Sequence, residues 1–167
     1  LRLFFFLLKG GFPLLSRPIG GGIFLYDGDR KNKREGGGRM ARWVYFNPNP
    51  EGKRVGDCAV RALCKALDRD WEQVYTGLCL EGFALGDMPS ADRAWGAYLR
   101  RHGFRRHALP ETCPDCYTVA DFAQEHPQGL YILALNGHVV CLLDGCWHDT
   151  WDSGDKTPLY YWTKEED

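Results

Sequence analysis

Residues 130–151 read LYILALNGHVVCLLDGCWHDTW. Leu130–Leu135 is an apolar run of strand length, and His138–Leu143 is a second. Asn136-Gly137 separates them, and Asp144-Gly145 leads into a third run, Cys146–Trp151. Both dipeptides tolerate the left-handed backbone that a two-residue hairpin turn requires. An antiparallel meander is therefore expected, with Leu159–Trp162 as a further strand. If Asp144-Gly145 is a two-residue turn, Leu143 faces Cys146 and His138 lies near Trp151 on the neighbouring strand.

Upstream of this meander the period changes. In Ala59–Leu67 (AVRALCKAL) the apolar positions 59, 60, 63, 66 and 67 make one helical stripe. Asp57 is placed to cap that helix, which makes Cys58 its first residue. Asp70 is expected to cap a second helix, Trp71–Leu80, and Ser90 a third, Ala91–His102, ended by Gly103. Thr118 should cap a fourth, Val119–Glu125, which Pro127 closes. Arg42–Phe46 and Phe104–Ala108 read as short extended segments. Asn47–Gly52 (NPNPEG) is loop, because two prolines and a glycine oppose regular structure. Helices first and an antiparallel sheet after them is the α+β pattern.

The chain has 167 residues, 44% of them hydrophobic, which suits one domain with a real core. Its formal net charge of −1 argues against a dedicated nucleic-acid binder. The basic run Arg30–Arg34 lies in a glycine-rich stretch and reads as a solvated linker. Seven cysteines leave at least one thiol unpaired, and their spacing is not that of a secreted disulfide framework. A reducing, cytoplasmic setting is the expectation.

Residues 1–39 differ from the rest. Leu3–Leu8 is too short to span a bilayer, and Lys9 cuts it off without a following cleavage signature. The first Met is Met40, preceded by Arg34-Glu35-Gly36-Gly37-Gly38-Arg39, whose codons can be purine-rich like a ribosome-binding site. Residues 1–39 therefore read as translated upstream sequence or an unstructured leader. Residues 40–167 read as the folded domain.

Cys58 is the candidate nucleophile. A thiol becomes a thiolate more readily at a helix N-terminus and beside an imidazolium, and helix-start N–H groups can hold a developing oxyanion. His138, at the mouth of a strand, is the candidate general base and acid. The hairpin arithmetic brings Asp149 and Asp152 within about one pairing step of His138, allowing for register, as orienting partners.

Cys on a helix start, His on a strand and Asp or Asn on the next strand is similar to the order found in papain-like cysteine peptidases. Gly56-Asp57-Cys58 and the helix behind it resemble the nucleophile helix of bacteriocin-leader-processing peptidases. Gly137-His138-Val139-Val140 followed by Trp147–Ser153 is similar to josephin-type deubiquitinases, and that likeness favours Asp149 over Asp152. NPNPEGKRVGDC also resembles small proteins of bacterial and prophage genomes. The resemblance covers about Asn47–Trp162. It implies a papain-like fold and cleavage of a peptide or isopeptide bond, with a peptide or protein as substrate and no cofactor, nucleic acid or membrane. Such enzymes usually carry a Gln five or six residues before the Cys as an oxyanion donor. Here those positions are Lys53 and Gly52, which leaves Asn47 and Asn49 as candidate donors. The alternative is an inactive papain-like binding protein.

Cys113-Pro114-Asp115-Cys116 is a CxxC without a second pair of matching spacing, so Cys113 and Cys116 are weak metal candidates. Trp147, Trp151, Tyr160, Tyr161 and Trp162 are expected in the core or as lids of a cleft.

Overall fold

A computed structural model describes residues 40–109 and 116–164. The segment 1–39, Cys113 and the acidic tail 165–167 lie outside the described residues. The elements run β1 (Arg42–Tyr45), α1 (Cys58–Leu67), α2 (Trp71–Leu85), α3 (Asp92–Arg101), β2 (Phe104–Ala108), α4 (Val119–Glu125), β3 (Leu130–Leu135), β4 (His138–Leu143), β5 (Cys146–Asp149) and β6 (Pro158–Lys164). The fold is α+β, with four helices and a mixed six-stranded sheet ordered β1-β5-β4-β3-β6-β2.

The expected antiparallel sheet is corrected in one respect: β1 runs parallel to β5, with Tyr45 opposite Asp149. All other pairings are antiparallel. Both outer strands, β1 and β2, come from the helical half of the chain, so helix and sheet segments are less segregated than their order suggests.

Asp144 and Gly145 both take positive φ (50° and 73°), as a two-residue hairpin turn demands. Leu143 consequently pairs with Cys146 and Cys141 with His148, the register expected.

The unbroken apolar character of β3 and β4 follows from burial on both faces. Ile132, Ala134, Val139 and Cys141 join a core with Leu63 of α1, Val74 and Leu78 of α2, and Trp95 and Leu99 of α3. Leu133, Leu135, Val140 and Leu142 face the other way and pack on Val119, Phe122 and Ala123 of α4. Tyr160 stacks on Trp95 and Trp162 meets it edge-on in the first core, and Trp147 belongs to the second.

Three helix ends depart from expectation. Asp57 holds the N-cap position of α1, but its side chain makes no capping hydrogen bond. Ala91, not Ser90, is the N-cap of α3. α2 runs on past Leu80 to Leu85 and stops at Gly86, whose φ of 63° ends it in the left-handed region. Thr118 caps α4 in a reciprocal box with Asp121 as expected. Among the described residues, no helix is long and apolar enough to cross a membrane.

Candidate active site

α1 packs across β3, β4 and β5, and this lays its first residue, Cys58, beside the first residue of β4, His138. Both side chains line one cleft, where each shifts the other's ionisation. His138 Nε2 meets Asp149 Oδ2 at 2.5 Å from the end of β5. With Nε2 so engaged, Nδ1 is the ring nitrogen left for the thiol.

Asp149 is saturated with donors. Besides His138 it accepts from the Thr150 N–H at 2.7 Å, Ser153 Oγ at 3.1 Å and Arg61 Nη2 at 3.2 Å. β1 holds its backbone: Trp43 Nε1 and the Phe46 N–H both donate to the Asp149 carbonyl, at 3.1 and 2.9 Å. The Trp151 ring lies 5.1 Å from the His138 ring and remains partly exposed, a lid at the cleft wall.

Arg61 was not anticipated as a site residue. It sits one turn after Cys58 on α1, and its buried guanidinium bridges Asp57 and Asp149. Trp71 Nε1 donates to the other Asp57 oxygen at 2.8 Å. A line of alternating charge results, from Asp57 through Arg61 and Asp149 to the His138 ring, with the Cys58 thiol beyond it in the cleft. The available signal was the i,i+4 spacing of Asp57 and Arg61, together with an arginine inside an otherwise apolar helix. Ser153, fully buried against Asp149, was also missed as a partner.

This surrounding sets the ionisation. Burial pushes the Cys58 thiol up, but the hydrogen bond and charge of His138, the Val139 backbone and the Arg61 charge together hold it below its ordinary value. Burial also opposes the imidazolium, yet Asp149 and Cys58 outweigh it and push His138 up to about 9. For Asp149, burial is overcome by His138, the Thr150 N–H and Arg61, so its carboxyl lies low. The neighbouring His148 is a different case: burial, with Lys65 nearby, pushes it down to about 4 and keeps it neutral.

The other candidates lie elsewhere. Asp152 does not reach His138; its Oδ1 accepts from Trp147 Nε1 at 2.9 Å and the Gly154 N–H at 3.0 Å, closing the turn after β5. Asn47 and Asn49 do not line the cleft that Cys58 and His138 share. Asn47 Nδ2 donates to the carbonyls of Gly52 and Lys53, and Asn49 Oδ1 accepts from the N–H groups of Glu51 and Lys53. They hold their own loop together, as Asx turns do. Cys116 is exposed, whereas Cys141 and Cys146 are buried in the sheet. Among the described residues, no three His, Cys, Asp or Glu side chains are grouped to hold a metal ion.

The cleft, of about 700 Å³, is walled by the start of α1, the β3–β4 turn, the start of α3 and Thr150-Trp151. Cys58 opens α1, so its N–H is among those without a carbonyl partner inside the helix. Comparison with family models, with curated proteins and with solved structures finds no match to this chain.

Proposed function

We propose that the protein is a papain-like cysteine hydrolase in which Cys58, His138 and Asp149 form the catalytic triad. One observation carries this reading: the Asp149 carboxylate holds the His138 ring in the cleft that Cys58 also lines, where His138 and Cys58 shift each other toward imidazolium and thiolate.

In the mechanism that follows, Cys58 Sγ attacks an acyl carbon and a C–S bond forms. The carbonyl electrons move to oxygen, where the Cys58 N–H at the positive end of α1 stabilises them. His138 gives its proton to the departing amine as the C–N bond breaks, leaving a thioester. It then takes a proton from water, whose oxygen attacks the thioester; the C–S bond breaks, freeing the acid and restoring the Cys58 thiolate beside the His138 imidazolium. Asp149 holds the imidazole orientation throughout, and Arg61 holds Asp149.

The alternative, an inactive papain-like binding protein, draws on the occupied side chains of Asn47 and Asn49, which leave no side-chain oxyanion donor at the positions expected to supply one.

Exposure to p-nitrophenyl acetate tests the proposal. The expected result is a burst of one acetyl group on Cys58, located by peptide mass, followed by turnover. Both should be lost in Cys58→Ala, and the burst should be much slower in His138→Ala. Acetylation of Cys58 no faster than that of Cys79, on α2, would overturn the proposal. A burst without turnover would favour the binding protein.

A further inference from the structure

A second cavity, of about 320 Å³, lies against the start of the nucleophile helix, between α2 and the turn that leads into α3. It shares Val55, Gly56 and Ser90 with the cleft that holds Cys58, so the two hollows adjoin along the segment before the nucleophile. We infer that this cavity is the specificity pocket of the proposed hydrolase, taking one large apolar or aromatic side chain of a peptide substrate whose main chain runs on to Cys58. The inference rests on the hydrolase reading and adds a substrate class to it.

The walls argue for that occupant. Trp71 and Tyr75, one turn apart on α2, stack with ring centroids 4.6 Å apart and planes within 9°. Leu78, one turn further, is fully buried beneath them. Val55, Tyr75 and Met88 at the rim are 48%, 43% and 68% exposed, three large apolar side chains left to water around one hollow. The one carboxylate in the wall, Asp57, already has Arg61 on one oxygen and Trp71 on the other. A charged substrate side chain would lose its water there and find no partner, whereas an apolar one loses nothing polar. The volume sits at the small end of ligand pockets, the scale of a single side chain.

The pocket is also preformed and tied to the nucleophile. Trp71 Nε1 anchors its wall to Asp57, the residue before Cys58. The rim turn is clamped onto α2 by the Asp87 N–H on the Gly82 carbonyl at 2.8 Å. That approach needs glycine, because a Cβ at Gly82 would stand 2.6 Å from the Asp87 carbonyl oxygen. Met88, which lines the hollow, follows directly in this closely packed turn.

The test uses the full chain and a series of all-glycine peptidyl chloromethyl ketones in which a single Phe is moved outward from the reactive carbon. Matching Asp and Lys series are run beside it. The readout is the rate of Cys58 alkylation by peptide mass, with iodoacetamide as a probe that needs no pocket. One Phe position should react about tenfold to a hundredfold faster than the all-glycine probe, the scale of burying one large apolar side chain. Asp and Lys at that position should gain nothing. The Phe-to-glycine ratio should collapse toward unity in Met88→Lys and in Tyr75→Ala. A flat profile alongside rapid iodoacetamide labelling would refute the pocket alone, as would a Phe preference that survives both substitutions. Iodoacetamide labelling of Cys58 no faster than that of Cys79 would refute the hydrolase reading, and the pocket's role with it.

Discussion

Replacing Arg61 with Met removes the cation at the middle of the buried charge line while keeping most of the side chain's volume. The Arg61 side chain is 6% exposed, and its partners Asp57 and Asp149 are 5% and 1% exposed. Without the guanidinium, Asp149 keeps three donors, in His138, Thr150 and Ser153. Asp57 keeps the Trp71 indole alone among its side-chain donors. The loss should therefore fall mainly on Asp57. Breaking a buried ion pair by removing one member costs about 3–5 kcal/mol. Because one guanidinium serves both carboxylates, the two losses should not simply add. Against a domain stability of about 5–15 kcal/mol this is severe but survivable. Urea denaturation should show a lower midpoint with an unchanged slope. Adding Asp57→Asn to Arg61→Met should return about 0.5–3 kcal/mol, because it removes the stranded charge. Arg61 also helps lower the Cys58 thiol, so Cys58 alkylation in the variant should need higher pH. A stability change within about 0.5 kcal/mol, the range of an ordinary surface substitution, would refute the reasoning. So would a failure of Asp57→Asn to recover any of the loss.

Asp149→Asn should slow Cys58 alkylation at neutral pH, because a neutral amide no longer favours the imidazolium; Asp152→Asn should leave it unchanged, since Asp152 serves only the turn after β5. Equal effects of the two on the alkylation rate would contradict the assignment. His138 titrates at about 9 in the folded protein, above its ordinary value of 6.5. Its contribution to stability should be full below about 6.5 and lost as pH rises through about 9, a loss that urea titrations across that range should show in wild type and not in His138→Ala. Phe122→Ala, in the core beneath α4, should cost about 3–5 kcal/mol and lower the melting temperature in calorimetry. Cys58 alkylation below the melting transition should be unchanged, because α4 packs on the sheet face away from α1.

Local signals carried most of the elements. The Asp144-Gly145 turn determined the β4–β5 register, and with it the approach of Asp149 to His138. α2 runs five residues past the Leu80 end expected from the sequence, and Gly82 within that extension is a close-packing position inside the helix. The parallel pairing of β1 with β5 joins residues a hundred positions apart, and nothing in RWVY announces a partner at that distance. Asn47 and Asn49 were misplaced because an Asn after a strand can either reach outward or fold its own turn, and the prolines and glycine around them favour the second. Arg61 was overlooked because its role depends on two carboxylates converging, only one of which is close in sequence.

The central claim is that His138 holds the Cys58 thiol below its ordinary pKa. The most direct measurement is the rate of Cys58 alkylation by iodoacetamide as a function of pH, read by peptide mass in wild type and in His138→Ala. The account predicts that wild-type Cys58 reacts with an inflection below the ordinary thiol value, and that removal of His138 moves the inflection up. An inflection at or above the ordinary range in wild type, or the same inflection in both proteins, would contradict it.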